Sequence, residues 1–277
     1  MVDQLEVHLA TGGVDPTDRP ATDPIVLLVH GAGMDGTVWQ LQTRWLAHHG
    51  FRPLAVDLPG HGRSAGEALT SIEDLADWLG RLVDALGQAG PDGPALRSEG
   101  EPVAVVGHSM GTFIALDLAA RRPEIVSQLV LLGTAAAMPV HPQLLTDSTD
   151  DLPAAAALMA AWSHAKPAHV GSHPTPGLWM LGGAQALVEQ SAPGALAADF
   201  GACAAYQGAA DAAAAVLCPV AVGVGRGDKM TPPRAAAELV AVLGDRATVT
   251  ELADCGHMLM TEQPRAVRRL LAEALSA

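Results

Sequence analysis

The segment Val103-Ala-Val-Val-Gly-His-Ser-Met-Gly111 decides the fold, because it joins an apolar strand to a helix through a turn that contains a serine. Its apolar run at 103–106 has the length of a strand, and a helical pattern extends over 110–121. The spacing is G-x-S-x-G, in which a side chain at either glycine would collide with neighbouring backbone in so sharp a turn. Such a turn holds the hydroxyl of Ser109 out at the head of the strand. We therefore predict that Ser109 is a nucleophile.

Apolar runs of strand length lie on both sides of this segment and alternate with helical patterns. The other predicted strands are 25–29, 52–57, 129–132, 220–224 and 247–252. The other predicted helices are 71–86, 233–243 and 264–275, with a further helical pattern that begins near Val38. Strands and helices that alternate in this way predict an α/β fold, with a mostly parallel sheet covered by helices on both faces.

One long segment interrupts the alternation. Residues 134–215 carry alanine-rich helical pieces with scattered histidine, proline and glycine, and contain no good strand. We predict that this segment is a helical cap over the sheet. The core domain would then consist of residues 1–133 and 216–277.

The composition excludes several classes of protein. The chain of 277 residues is 49% hydrophobic and 17% charged, which favours a sizeable core over disorder. Its net charge of −14 argues against binding to nucleic acid or to an anionic membrane. We find neither a membrane-spanning apolar run nor a secretory signal, and the three cysteines suggest neither a disulfide framework nor a zinc site. We therefore expect a cytoplasmic globular protein without nucleic-acid partners or membrane insertion, and the sequence leaves its oligomeric state open.

A serine needs a base within hydrogen-bond reach and a group that orients this base. His257 follows the last predicted strand, and Asp228 lies in the loop after the strand at 220–224. Parallel strands bring the loops at their carboxyl ends to one edge of the sheet. The sequence therefore predicts Ser109 as the nucleophile, His257 as the base and Asp228 as the orienting acid. Asp254 is a second candidate for the acid.

The glycine turn Gly31-Ala-Gly33-Met-Asp-Gly36 suggests a different class of function. It fits G-x-G-x-x-G after a strand, with Asp57 about 20 residues further on, which is typical of NAD(P)-dependent oxidoreductases. Against this, His30 separates the strand from the first glycine, and the next helical pattern begins too late. Asp57 also opens a tight polar loop, where its carboxylate would bind local backbone amides. The oxidoreductase remains the alternative from another class.

Taken together, these motifs resemble the α/β-hydrolase fold superfamily, and within it the esterase-like members with a helical cap. The resemblance rests on the order of serine, aspartate and histidine, on the His30-Gly31 turn and on the loop Asp57-Leu-Pro-Gly-His-Gly-Arg-Ser64. It covers nearly the whole chain except the cap and the loop at 90–102. It implies that the backbone N–H groups of Ala32 and Met110 form an oxyanion hole.

The resemblance implies a serine hydrolase that cleaves small to medium, mainly apolar carboxylic esters through an acyl-enzyme. Carbon–carbon bond hydrolases and cofactor-free perhydrolases share the same triad and remain alternatives. No metal or organic cofactor is expected, since the cap histidines have no acidic or cysteine partner in phase. These histidines are His141, His164, His169 and His173. Candidate residues of the substrate pocket are Met138, Leu144, Trp162 and Trp179.

Overall fold

The computed structural model describes residues 6–89, 95–98, 100–171 and 177–276. Its strands are β1 (Leu9–Ala10), β2 (Ile25–Val29), β3 (Arg52–Val56), β4 (Val103–His108), β5 (Val126–Leu132), β6 (Val220–Gly225) and β7 (Ala247–Leu252). They form one sheet in the order β1-β3-β2-β4-β5-β6-β7. Strand β1 pairs antiparallel with β3, and the other neighbours pair parallel. The predicted mostly parallel sheet is confirmed, and the sequence missed only the two-residue β1 among these strands.

The described residues contain twelve α-helices. They are α1 (Gln40–Ala47), α2 (Ile72–Leu86), α3 (Met110–Arg121), α4 (Pro142–Asp150), α5 (Leu152–Ser163), α6 (Lys166–His169), α7 (Met180–Glu189), α8 (Ala195–Ala205), α9 (Ala209–Ala215), α10 (Pro233–Leu243), α11 (Leu259–Glu262) and α12 (Pro264–Leu275). Helices α2, α3, α10 and α12 were predicted. Near Val38, a 3-10 turn at Gly36–Trp39 leads into α1. Within the part of the chain that the structure describes, every helix is too short or too polar to cross a lipid bilayer.

Alternate residues of one strand serve two separate cores. In β2, Leu27 packs into a core that includes residues of α2 and α3, whereas Leu28 packs into a second core on the opposite face with Leu46 of α1 and Leu270 of α12. Strand β2 is buried along its whole length, so it has no solvent-facing side and reads as a continuous apolar run. Full burial of each such aliphatic side chain contributes about 1.5–3 kcal/mol. The helices on both faces therefore fix the sheet edge on which the candidate site is built.

Helices α4 to α9 lie between β5 and β6, in the segment predicted as a cap. Helix α5 packs against α4 and α7, and α4 also packs against α8. Helix α9, by contrast, packs against α3 and α10, which cover the sheet. The boundaries of the cap at 134–215 stay a prediction.

Candidate active site

Ser109 lies in a strained turn between β4 and α3. Its backbone has φ 52° and ψ −120°, and Asp254 is the other non-glycine residue with positive φ among those described. A Cβ atom on Gly107 would lie less than 3.0 Å from the carbonyl oxygen of Gly111, and one on Gly111 equally close to that of Val29. Backbone strain of this kind costs about 1–3 kcal/mol and persists only where the surroundings enforce it. The two glycines are therefore required by the turn that presents Ser109.

Asp228 and His257 form a buried hydrogen-bonded pair. The imidazole Nδ1 lies 2.8 Å from Asp228 Oδ2, and Nδ1 carries the proton because an ionised carboxylate only accepts. The amides of Met230 and Thr231 donate to Asp228 Oδ1 at 2.8 and 2.9 Å. Burial acts to raise the pKa of Asp228, but the charge of His257 and the hydrogen bonds from His257 and Thr231 outweigh it and hold that pKa below its ordinary value. Asp254, the second candidate acid, is exposed and does not pair with His257.

Ser109 and His257 lie against two consecutive residues at the end of β5, Leu132 and Gly133. The amide of Ser109 donates to Leu132 O at 3.0 Å, and a Cβ atom on the next residue, Gly133, would lie 3.0 Å from His257 Cε1. Both candidate residues belong to the described part of the chain, and no hydrogen bond joins the serine hydroxyl to the imidazole. In ligand-free hydrolases this bond is often long and tightens only when substrate binds. The structure thus pairs Asp228 with His257, and Ser109 hydrogen-bonds to the end of β5, where the next residue, Gly133, lies against this imidazole.

Two other buried histidines lie near Ser109. His108 donates from Nε2 to His257 O at 2.9 Å, and its ring centroid lies 4.7 Å from that of His257. His30 accepts the amide of Leu58 at Nε2. Burial, together with a neighbouring histidine, lowers the pKa of each to about 3. Neutral, buried and hydrogen-bonded to backbone, these two histidines have structural roles, which leaves His257 as the candidate base.

The turn Gly31–Met34 packs directly on the serine. A Cβ atom on Gly31 would lie 3.1 Å from Ser109 Cβ. Ala32 and Ser109 line the same cavity of about 200 Å³. Met110 is the first residue of α3, so its amide N–H has no acceptor within the helix. The two predicted oxyanion donors therefore flank Ser109, one in this turn and one at the helix N-terminus.

The cavity at Ser109 contains three of the four predicted pocket residues. Met138, Leu144 and Trp162 line it. Trp179 does not: its side chain is 69% exposed and lines a separate cavity of about 280 Å³. The reason is local, since Trp179 comes immediately before α7 and its ring lies against Gly182 in the first turn of that helix.

Sequence reasoning missed other residues of the cavity wall, among them Phe200, Cys203 and Lys229. Phe200 and Cys203 are three apart on α8, a spacing that places both on one helix face. Lys229 follows Asp228 and adds a cationic residue to this wall. Burial raises the pKa of the Cys203 thiol far above its usual range, so this side chain is a thiol and not a thiolate.

Asp57, the carboxylate that a dinucleotide-binding site would need, already accepts hydrogen bonds within the protein. Asp57 accepts the amide of Gly36 at 2.7 Å and that of Arg63 at 2.9 Å, and lies 2.9 Å from His8 Nδ1. Asp57 therefore fixes the glycine turn and the loop that follows it, as the local interpretation predicted. This engagement counts against a role in binding a ribose.

The described histidines of the segment predicted as a cap form hydrogen bonds with backbone groups. His164 Nδ1 lies 2.9 Å from Ala160 O, and His169 Nε2 lies 3.2 Å from His164 O. His173 lies outside the described residues. Among the residues that are described, no three histidine, cysteine or acidic side chains come close enough together to hold a metal ion.

Comparison with known proteins places this geometry in context. A model of the alpha/beta hydrolase family matches residues 26–270. A pimeloyl-[acyl-carrier protein] methyl ester esterase of Aromatoleum aromaticum is 30% identical over 87% of this chain and 94% of its own length. Lipase LipV of Mycobacterium tuberculosis is 40% identical over 43% of this chain and 40% of its own length. This chain spans less than half the length of three of the curated relatives that it matches, from 37% to 46%.

Solved structures share the fold across the whole chain. The enol-lactonase of Burkholderia xenovorans LB400 superposes with a TM-score of 0.82 at 22% identity, covering 99% of this chain and 98% of that one. A thermophilic esterase of Thermogutta terrifontis gives a TM-score of 0.78 at 23% identity, covering 98% and 93% of the two chains. These likenesses show a common architecture.

Proposed function

This chain belongs to the alpha/beta hydrolase family, and from that premise we propose that it is a serine hydrolase of carboxylic esters. Ser109 is its nucleophile, His257 its general base and Asp228 the acid that orients the base. The observation that carries this proposal is the buried Asp228–His257 pair beside a serine whose backbone is held at positive φ. A structural serine in an ordinary turn requires neither feature.

The proposed reaction proceeds through an acyl-enzyme. His257 accepts the proton of the Ser109 hydroxyl as its oxygen attacks the ester carbonyl, and then gives this proton to the departing alcohol. Asp228 holds the imidazole with Nδ1–H toward itself, so that Nε2 is the free basic nitrogen. Water deprotonated by His257 attacks the acyl-enzyme and releases the acid. The N–H groups of Ala32 and Met110 stabilise the oxyanion, an effect that is worth about 2.7–4 kcal/mol for a single donor.

The cavity supports a small to medium, mainly apolar ester as substrate. Its volume is about 200 Å³, and Met138, Leu144 and Trp162 form apolar parts of its wall. Lys229 also lines it, so a panel of activated esters should vary acyl length and should include acyl chains that end in a carboxylate. Relatives named as a methyl ester esterase and a lipase support an ester as the substrate class.

The direct test replaces the nucleophile. We expect Ser109→Ala to lower the turnover of a nitrophenyl ester by about 10⁴–10⁶-fold, because the acyl-enzyme can no longer form. Steady-state rates with matched concentrations of folded protein measure this loss. Ser98→Ala, at an exposed serine outside the cavity, should retain the wild-type rate. Turnover by Ser109→Ala near the wild-type level would remove Ser109 from the mechanism.

A further inference from the structure

A second histidine–aspartate pair, His61 and Asp199, lies against the turn that contains Ala32, a predicted oxyanion donor. His61 Nε2 is 2.9 Å from Asp199 Oδ2, and both side chains are about 1% exposed. The same carboxylate oxygen accepts the amide N–H of Gly33 at 2.8 Å. The proposed triad uses neither residue, and a buried charged pair is a costly arrangement that needs an explanation.

Geometry fixes the charge state of this pair. His61 Nδ1 lies 3.0 Å from Pro59 O, and Nε2 faces the carboxylate. Pro59 O and an ionised Asp199 are both acceptors, and an imidazolium, which has two N–H donors, satisfies them together. Burial lowers the pKa of His61, but the hydrogen bond and charge of Asp199, with Pro59 O and Asp57, outweigh it and raise that pKa above 6.5. The contacts therefore suit an imidazolium at His61 hydrogen-bonded to the Asp199 carboxylate.

The pair connects a helix of the predicted cap to the turn that holds Ala32. Asp199 lies on α8, whose residue Leu196 packs so closely on the turn that a Cβ atom on Gly33 would lie 2.7 Å from Leu196 Cδ1. Phe200, the neighbour of Asp199, lines the cavity at Ser109. One oxygen of Asp199, Oδ1, is buried with no hydrogen-bond partner among the described residues. A buried carboxylate oxygen without a partner costs free energy.

We infer that Asp199 and His61 are positioning residues of the proposed hydrolase, which hold the Gly31–Gly33 turn so that Ala32 N–H points at the oxyanion. This inference rests on the proposed function of that turn. Asp199 accepts the amide immediately after Ala32 and so restrains the peptide plane between Ala32 and Gly33. His61 keeps the carboxylate in place and neutralises a negative charge that would otherwise lie near the developing oxyanion.

The test compares two substitutions at Asp199 with a control at the residue that follows the same helix. Asp199→Ala leaves Gly33 N–H without its acceptor, and we expect kcat to fall about 10–100-fold with KM changed less than about threefold. Asp199→Asn keeps an acceptor for this amide and should retain more of kcat than Asp199→Ala. The control is Tyr206→Phe, which removes the 3.0 Å hydrogen bond from Tyr206, the C-cap residue of α8, to Asp117. It should lower stability but leave kcat unchanged.

The pH profile separates positioning from simple stabilisation. The charged or titratable groups around His61 are Asp199, Asp57 and the neutral ring of His30, whose centroid lies 5.0 Å away. In the wild type, kcat should fall at alkaline pH when His61 loses its proton. In Asp199→Asn this fall should begin about one pH unit lower or more, since an adjacent carboxylate raises a histidine pKa by such amounts. Tyr206→Phe should keep the wild-type profile.

Each outcome decides the inference. Loss of kcat in Asp199→Ala with a shifted alkaline limb in Asp199→Asn supports it. A rise in KM alone, an unshifted limb, or equal losses in Tyr206→Phe would overturn it and leave the pair as a packing contact. If Asp199→Ala does not fold, the profile of Asp199→Asn alone decides. Failure of the proposed function is seen separately, as full activity of Ser109→Ala.

Discussion

At the scale of single residues, the turn that presents Ser109 requires glycine at positions 107 and 111. The serine occupies a backbone conformation that L-residues avoid, and its flanking glycines leave space that any side chain would fill. This requirement is local, because it concerns five consecutive residues between a strand and a helix. The spacing of glycine and serine was therefore readable in the sequence.

We expect Gly111→Ala to destabilise the protein by about 2–4 kcal/mol, because its methyl group would meet the backbone of Val29 and neither strand nor helix can move away. The free energy of unfolding in urea measures this loss. Gly183→Ala is the matched control: Gly183 lies in helix α7, and a Cβ atom there meets nothing within 4 Å. This substitution should stabilise the protein by about 0.5–1 kcal/mol. Equal effects at the two positions would contradict the packing described for the turn.

At the scale of elements, the buried carboxylate of Glu262 links the segment predicted as a cap to the loop that carries His257. Glu262 of α11 accepts the amide of Ala165 at 2.9 Å and that of Gly256 at 3.0 Å, one on each carboxylate oxygen. Burial raises the pKa of Glu262 above its ordinary value despite these hydrogen bonds. The four-residue helix α11 was not predicted, since so short an element has no periodicity to detect.

Glu262→Gln should lower the free energy of unfolding by about 1–3 kcal/mol, because its NH₂ group would face one of the two amide donors. Chemical denaturation at neutral pH is the measurement. Glu238→Gln, at an exposed position of α10, should change stability by no more than about 0.5 kcal/mol. If Glu262→Gln is as stable as this control, Glu262 does not hold the two segments together.

At the scale of the whole molecule, the candidate site exists because parallel strands end at one edge. Ser109 follows β4, Asp228 follows β6 and His257 follows β7, while Ala32 lies in the turn after β2. Strand direction alone predicts that such loops meet, so the sequence could place the candidate triad without coordinates. The cavity wall was less predictable, because α8 carries Asp199 and Phe200 to the site through packing between distant segments. No local sequence pattern indicates such packing between distant segments.

The central claim is that the Asp228–His257 pair makes the hydroxyl of Ser109 reactive. A fluorophosphonate probe measures this directly, since it phosphonylates an activated serine and the adduct can be located by peptide mass spectrometry. We predict one adduct per chain on the peptide that contains Ser109, formed at least about 100-fold more slowly in His257→Asn. An adduct on another residue, or equal labelling of His257→Asn and wild type, would contradict the claim.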